Sequence, residues 1–170
     1  MTAIRIEKSN ADDLTKIVAI YNQTIACRHI TSDLQPVSVA DRQAWFDFHR
    51  HSERYPIWSV RDAEQHLIGW ATLSPFYGRP AYDITAEASF YLDNRVKGKG
   101  IGTQLVRFLQ RQMQPLQFST LLGFVFKGNP ASIAVLQKCG FRQWGELPDI
   151  ADMQQHKETL ILLGYQPNSD

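Results

Sequence analysis

Apolar residues along this chain recur with two different periods, and the switches between them divide it into elements. Alternation of period two marks Ile4-Arg5-Ile6 as a first strand. Ile57 to Arg61 and Leu67 to Ser74 flank the polar stretch Asp62 to His66, which predicts a hairpin. Thr85 to Asp93 carries Ala86, Ala88, Phe90 and Leu92 and reads as a central strand, and Leu121 to Phe126 as a buried one. Phe141 to Gly145 and Thr159 to Tyr165 would close the sheet. Between these runs the period lengthens to that of a helix. Ser9 and Asp12 give a start signal before Leu14, Ile17, Val18, Tyr21 and Ile25. Ser38 and Asp41 do the same for a second helix, whose apolar residues are Ala44, Trp45 and Phe48. Ile101, Leu105, Val106, Phe108, Leu109 and Met113 form a third helical face. Asn129-Pro130 opens a fourth, with Ile133, Val135 and Leu136, that ends at Gly140.

Composition narrows the picture only a little. A length of 170 residues suits one core, so one domain is expected over residues 1–165, followed by a flexible polar tail over 166–170. The net charge of +1 gives no electrostatic reason to expect nucleic acid or a membrane as partner. The first residues lack an apolar core of signal-peptide type, and no apolar run reaches spanning length, so a cytoplasmic protein is expected. Cys27 and Cys139 lie far apart, and the five histidines (29, 49, 51, 66 and 156) show no ligand spacing. No metal is expected.

The most informative stretch joins the central strand to the third helix. Asn94 to Gly102 has glycine at 98, 100 and 102 and cations at Arg95, Lys97 and Lys99. Strand, basic glycine loop and helix together hold phosphate: glycines let successive N–H groups converge, and the helix start adds unpaired N–H groups and a positive dipole end. The dinucleotide pattern G-x-G-x-x-G fails because Thr103 stands where its last glycine belongs. The triphosphate loop fails too, having no Gly-Lys-Ser/Thr ending. What is met is R-x-x-G-x-G, by Arg95, Gly98 and Gly100.

With that loop in that setting, the chain resembles the GNAT superfamily of acyl-CoA-dependent N-acetyltransferases. Ala81-Tyr82-Asp83-Ile84-Thr85-Ala86-Glu87, Glu53-Arg54-Tyr55-Pro56 and Ile20-Tyr21-Asn22 narrow the likeness to the phosphinothricin N-acetyltransferase branch. The resemblance spans about residues 4–145. It implies the GNAT fold, an α/β (α+β) architecture in which helices flank a central mixed, mostly antiparallel sheet. It implies acetyl-CoA as cosubstrate and a small-molecule amine, such as an amino acid or analogue, as acceptor. It also allows a homodimer.

The same resemblance assigns roles to particular residues. Arg95, Val96, Lys97, Gly98, Lys99, Gly100, Ile101, Gly102 and Thr103 would form the pyrophosphate site. The backbone of Phe90, Tyr91 and Leu92 would pair with the pantetheine arm as an added strand does. Asn129 and Ser132 fit the N-x-x-S motif beside the pantetheine, although both suit helix capping as well. Arg79 would clamp an acceptor carboxylate. Glu87 would be the base, since a carboxylate in an apolar strand has its pKa raised toward the range needed to deprotonate an ammonium.

Two segments depart from the family pattern. Leu136 stands where the family usually places the Tyr or His that protonates the departing thiol. The stretch Asp149 to Leu160 replaces the branch's G-[YF]-K-x-G-x-W segment near its acceptor pocket. The missing acid keeps a second reading open, an acyl-CoA-binding module with little turnover. A protein acetylase is a third, differing from the first only in acceptor.

Overall fold

Seven strands form one sheet in the order β1-β2-β3-β4-β5-β7-β6 in a computed structural model that describes residues 3–167. The strands are β1 (Arg5–Lys8), β2 (Ile57–Arg61), β3 (Leu67–Pro75), β4 (Thr85–Leu92), β5 (Thr120–Phe126), β6 (Arg142–Asp152) and β7 (Lys157–Tyr165). The helices are α1 (Leu14–Asn22), α2 (Val39–His51), α3 (Ile101–Gln112) and α4 (Pro130–Lys138). Every strand pair is antiparallel except β4 with β5, which are parallel because α3 carries the chain from the end of one to the start of the other.

That parallel pair is short. Its register runs Thr85 to Thr120, Ala86 to Leu121 and Glu87 to Leu122, and there it ends. On its other side β4 stays paired with β3 from Ala86 with Pro75 to Leu92 with Gly69. From Ala88 onward, therefore, β4 faces a gap where β5 has turned away. Gly123 lies just past the last pair, and a Cβ there would come within 2.9 Å of Leu136 Cδ1. Glycine thus lets α4 press its one fully buried side chain, Leu136, against β5 beside the gap.

Each face of the sheet has its own core. Alternation along β4 sends Ala86 and Ala88 to the side of α3 and α4, where Ile101, Leu105, Val106, Leu109 and Met113 are buried as the helical spacing predicts. Phe108 is half-buried, its ring edge-on to Trp58 at 5.3 Å. The opposite face is covered by α1 and α2, with Leu14, Ile17, Ile20 and Phe46 against Ile57 and Trp70.

Two elements differ from the sequence reading. In α2 the inward residues are Phe46 and His49, flanked by Arg42 and Trp45, whereas Ala44 is exposed and Phe48 is 48% exposed. Capping at Ser38 starts the helix at Val39 and turns a face with two polar members inward, which an apolar count cannot register. His49 is satisfied there by the Tyr55 carbonyl at 2.7 Å, and burial lowers its pKa. The second difference is β6, which runs to Asp152, not Gly145, with register shifts at Gln143/Gly145 and Leu147/Ala151. It is an exposed edge strand, so it lacks the apolar alternation that would have revealed it. Of the tail, Gln166 donates to Thr120 Oγ1 at 3.0 Å, and residues 168–170 lie outside the described part.

Candidate active site

Two cavities border β4. The larger, about 420 Å³, lies along the open edge of the strand between the glycine loop and α4. It is lined by Phe90, Tyr91, Leu92, Val96, Lys97, Gly98, Gly100, Ile101, Gly102, Thr103, Asn129 and Ser132. Arg95 and Lys99, which the R-x-x-G-x-G reading includes, are not among its lining residues. Arg95 turns back onto the buried Asp93, whose carboxylate also receives Lys16 at 3.5 Å. Lys99 is exposed.

The loop has the conformation that phosphate binding needs. Gly98 and Gly100 both have φ of +77°, the left-handed region, while a Cβ at either would meet nothing within 4 Å. These glycines therefore serve backbone conformation and not space. Gly100 sits at the N-cap of α3, so the first N–H groups of a 12-residue helix open toward the cleft with the positive end of its dipole. Asn129 caps α4, accepting from Ser132 N at 3.2 Å and donating to Ser132 Oγ at 3.0 Å. The two residues cap the helix and also line the cleft.

The smaller cavity, about 180 Å³, lies on the other face of the sheet, under α1 and α2. Glu87, Ser89 and Tyr91 reach it from β4, Thr72 and Ser74 from β3, and Tyr21, Arg42 and Trp45 from the helices. Glu87 is half-buried; burial raises its pKa, and a hydrogen bond from Ser89 offsets part of that rise. Tyr91 stacks on Trp70 at 4.6 Å and meets Tyr21 edge-on at 5.1 Å. Burial, and then the charges of Tyr21 and Glu87, push its phenol upward, so it stays protonated. Tyr91 lines both cavities.

Arg42 supplies the cavity's cation, and the sequence reading did not find it. Its guanidinium bonds Asp33 at 2.8 Å and lies over the Tyr21 ring at 4.8 Å. Tyr21 donates to Asp33 and shares a hydrogen bond with Thr31, and burial with the Asp33 bond pushes its pKa up to about 12. These contacts fix the segment between α1 and α2 above the cavity. Arg79 is exposed at the start of a short helical turn over Pro80–Tyr82, and it lines neither cavity. Leu136 borders a third, smaller hollow with Ala88, Tyr91 and Phe124 and has no proton to give.

Known proteins carry the same architecture. The profile of the acetyltransferase (GNAT) domain matches residues 4–142. A Bacillus subtilis (strain 168) protein, YwnH, provisionally named a phosphinothricin acetyltransferase, is 40% identical over 154 residues, covering 91% of this chain and 93% of its own length. The L-methionine sulfoximine/L-methionine sulfone acetyltransferase of Pseudomonas aeruginosa is 31% identical over 165 residues, 97% of this chain and 94% of that protein. The structure of a GNAT superfamily phosphinothricin acetyltransferase from Sinorhizobium meliloti in complex with AcCoA superposes with a TM-score of 0.91 at 26% identity, covering 98% of this chain and 89% of that one.

Proposed function

This chain belongs to the GNAT acetyltransferase family, with acetyl-CoA as acetyl donor, and from that premise we propose that it acetylates the α-amine of a free amino acid or close analogue. One observation carries the choice of acceptor: Glu87 and Arg42 line a single cavity of about 180 Å³. A carboxylate and a guanidinium across a small aromatic-walled space suit a zwitterion, the ammonium toward Glu87 and the carboxylate toward Arg42. Relatives that act on phosphinothricin and on methionine sulfoximine, both amino-acid analogues, support the same class.

Acetyl-CoA supplies an activated thioester carbonyl. The larger cleft fits it: left-handed glycines and the α3 N-terminus suit pyrophosphate, and the unpaired edge of β4 beyond Glu87 suits the amides of pantetheine. Glu87 takes a proton from the acceptor's ammonium, directly or through one water, and frees the lone pair. Backbone N–H groups on the open edge of β4 donate to the carbonyl oxygen as negative charge gathers there. The balance is one ammonium and one thioester in, and one amide, one thiol and one proton out. Glu87 carries that proton to solvent and is ready again.

The test is thiol release from acetyl-CoA with a panel of amino acids, their decarboxylated counterparts, polyamines and peptide N-termini. Amino acids should exceed their decarboxylated counterparts at least about tenfold in kcat/KM, the value of one charge-assisted contact. Faster turnover of a polyamine or a peptide would overturn the zwitterion reading.

A further inference from the structure

The linear spacing of the histidines points to no metal, yet the fold gathers two of the five beside a buried carboxylate. His29 comes from the segment between α1 and α2, His156 from the turn between β6 and β7, and Glu158 from the start of β7. His29 Nδ1 bonds Glu158 Oε1, and His156 Nε2 lies 3.1 Å from the same oxygen. The three ligating atoms lie within 4.8 Å of one another. The other carboxylate oxygen accepts from Gly128 N–H at 3.3 Å. A Cβ at residue 128 would land on the His29 ring and 2.5 Å from Glu158 Oε1, so the pocket closes around these three side chains only because glycine borders it.

We propose that His29, His156 and Glu158 bind one divalent cation of the zinc class. Two imidazole nitrogens and one carboxylate oxygen are a donor set for a borderline ion, whereas magnesium and calcium take oxygen ligands. A tetrahedral ion with bonds near 2.0–2.1 Å spaces its ligand atoms about 3.3 Å apart. The His156–Glu158 separation of 3.1 Å is already close to that, and the two rings have room to adjust. Their side chains are 44% and 34% exposed while that of Glu158 is 6% exposed, which leaves an entry path and a position for water. Gly128 N–H orients the carboxylate from behind, as outer-shell donors do.

Occupancy has a structural consequence. The segment holding His29 also sends Thr24 and Ile30 into the acetyl-CoA cleft, and Gly128 directly precedes Asn129 of the same cleft. An ion at this cluster would tie that segment to β7 and brace one wall of the cleft, so zinc and acetyl-CoA should each strengthen the other's binding.

The experiment uses the full chain stripped with chelator and titrated with Zn2+ by calorimetry and with Co2+ by visible absorption. One ion per chain is expected, with tetrahedral Co2+ bands and no thiolate charge-transfer band. His29→Ala and His156→Ala should each weaken binding by about a hundredfold or more while keeping the cooperative thermal unfolding of the metal-stripped wild type, which shows that they fold. Cys27→Ser, at an exposed thiol two residues from His29, should bind as wild type does. Absence of saturable one-to-one binding overturns the proposal. So does binding that survives both histidine substitutions, or that disappears in Cys27→Ser.

Discussion

Asp93 holds Arg95 in a two-pronged grip, Nε to Oδ1 at 2.9 Å and Nη2 to Oδ2 at 2.9 Å, with the Arg95 backbone N–H on Oδ1 at 3.0 Å. The arginine that opens the R-x-x-G-x-G loop thus shapes the loop's first turn, and its charge is spent on a buried acid. Arg95→Gln should weaken acetyl-CoA less than about tenfold, because the backbone N–H groups proposed to hold phosphate remain. Calorimetric titration decides this, and a loss of a hundredfold would return Arg95 to direct phosphate contact.

The same grip sets a stability limb at low pH. Hydrogen bonds from Arg95 hold Asp93 well below the ordinary carboxylate range; burial opposes them without prevailing. A depressed folded-state pKa contributes fully above the unfolded value, about 3.9, and is lost as pH falls through the folded one. Asp93→Asn should therefore lose stability at pH 7 and match wild type more closely below pH about 3. Urea unfolding at both pH values would show it, and equal destabilisation at both would refute it.

Gly100 separates conformation from crowding. Its φ of +77° is strained for a side chain, yet the space beside it is empty. Gly100→Ala should cost about 1–2 kcal/mol, whereas the larger Asn, which tolerates the left-handed region, should cost less and keep more acetyl-CoA affinity. The reverse order would mean that bulk near the cofactor, not backbone conformation, sets the requirement.

Much of this site could be read along the chain because it is local. The loop 94–102, its glycines and the face of α3 lie within one strand–loop–helix unit, and sequence spacing encodes such units well. Glu87 was legible through the segment that carries it. Arg42 was not, since its partners Asp33 and Tyr21 come from a different element and a polar residue on an inward helix face has no apolar signal. His29 and Glu158 stand 129 positions apart, in a loop and a strand that no local spacing connects. The limits of β6 were hidden for the opposite reason, since an exposed edge strand leaves no burial pattern to read.

Glu87→Gln should lower kcat by about 10²–10⁴-fold while acetyl-CoA affinity stays near wild type. Because burial raises the Glu87 pKa, the group is uncomfortable when charged: its folded-state stability is fullest below the unfolded pKa and falls as pH rises through the folded one. The Gln variant should accordingly be more stable than wild type at pH 7, a loss of activity with a gain in Tm. Ser89→Ala removes the bond that lowers this pKa and should move the acid limb of kcat/KM to higher pH. A limb left in place would exclude Glu87 as the titrating base.

Arg42 and Arg79 are the two candidates for holding the carboxylate of the proposed acceptor. Arg42 lines the cavity and Arg79 does not, so Arg42→Ala should raise KM for a carboxylate-bearing acceptor by about tenfold or more, with kcat changed less. Arg79→Ala should change KM less than about threefold. Steady-state kinetics with an amino acid and its decarboxylated counterpart make the comparison, and the opposite ranking would restore the clamp to Arg79.

Leu136 decides how much the missing acid matters. A thiol such as that of coenzyme A has a pKa of about 8.5, near that of cysteine, while the α-ammonium of a free amino acid lies between the chain-terminal value of about 8 and the lysine value of about 10.4. Expelling the thiolate at pH 7.5 therefore forgoes about 1.4 kcal/mol of protonation, whereas removing the ammonium proton is a demand of up to about three pKa units, or about 4 kcal/mol, and must be met before the amine can attack. In the proposed mechanism Glu87 meets the demand on the ammonium, and solvent meets that of the thiolate. Leu136 is also 2% exposed, and its Cδ1 occupies the space that a Cβ at Gly123 would need. Leu136→Tyr should then lower stability by about 1–3 kcal/mol through overpacking, while kcat changes by less than about tenfold. Gly123→Ala, which crowds the same contact without adding an acid, should reproduce the stability loss. A hundredfold gain in kcat from the tyrosine alone would show that protonation of the thiol limits the natural protein, and that the solvent route is too slow.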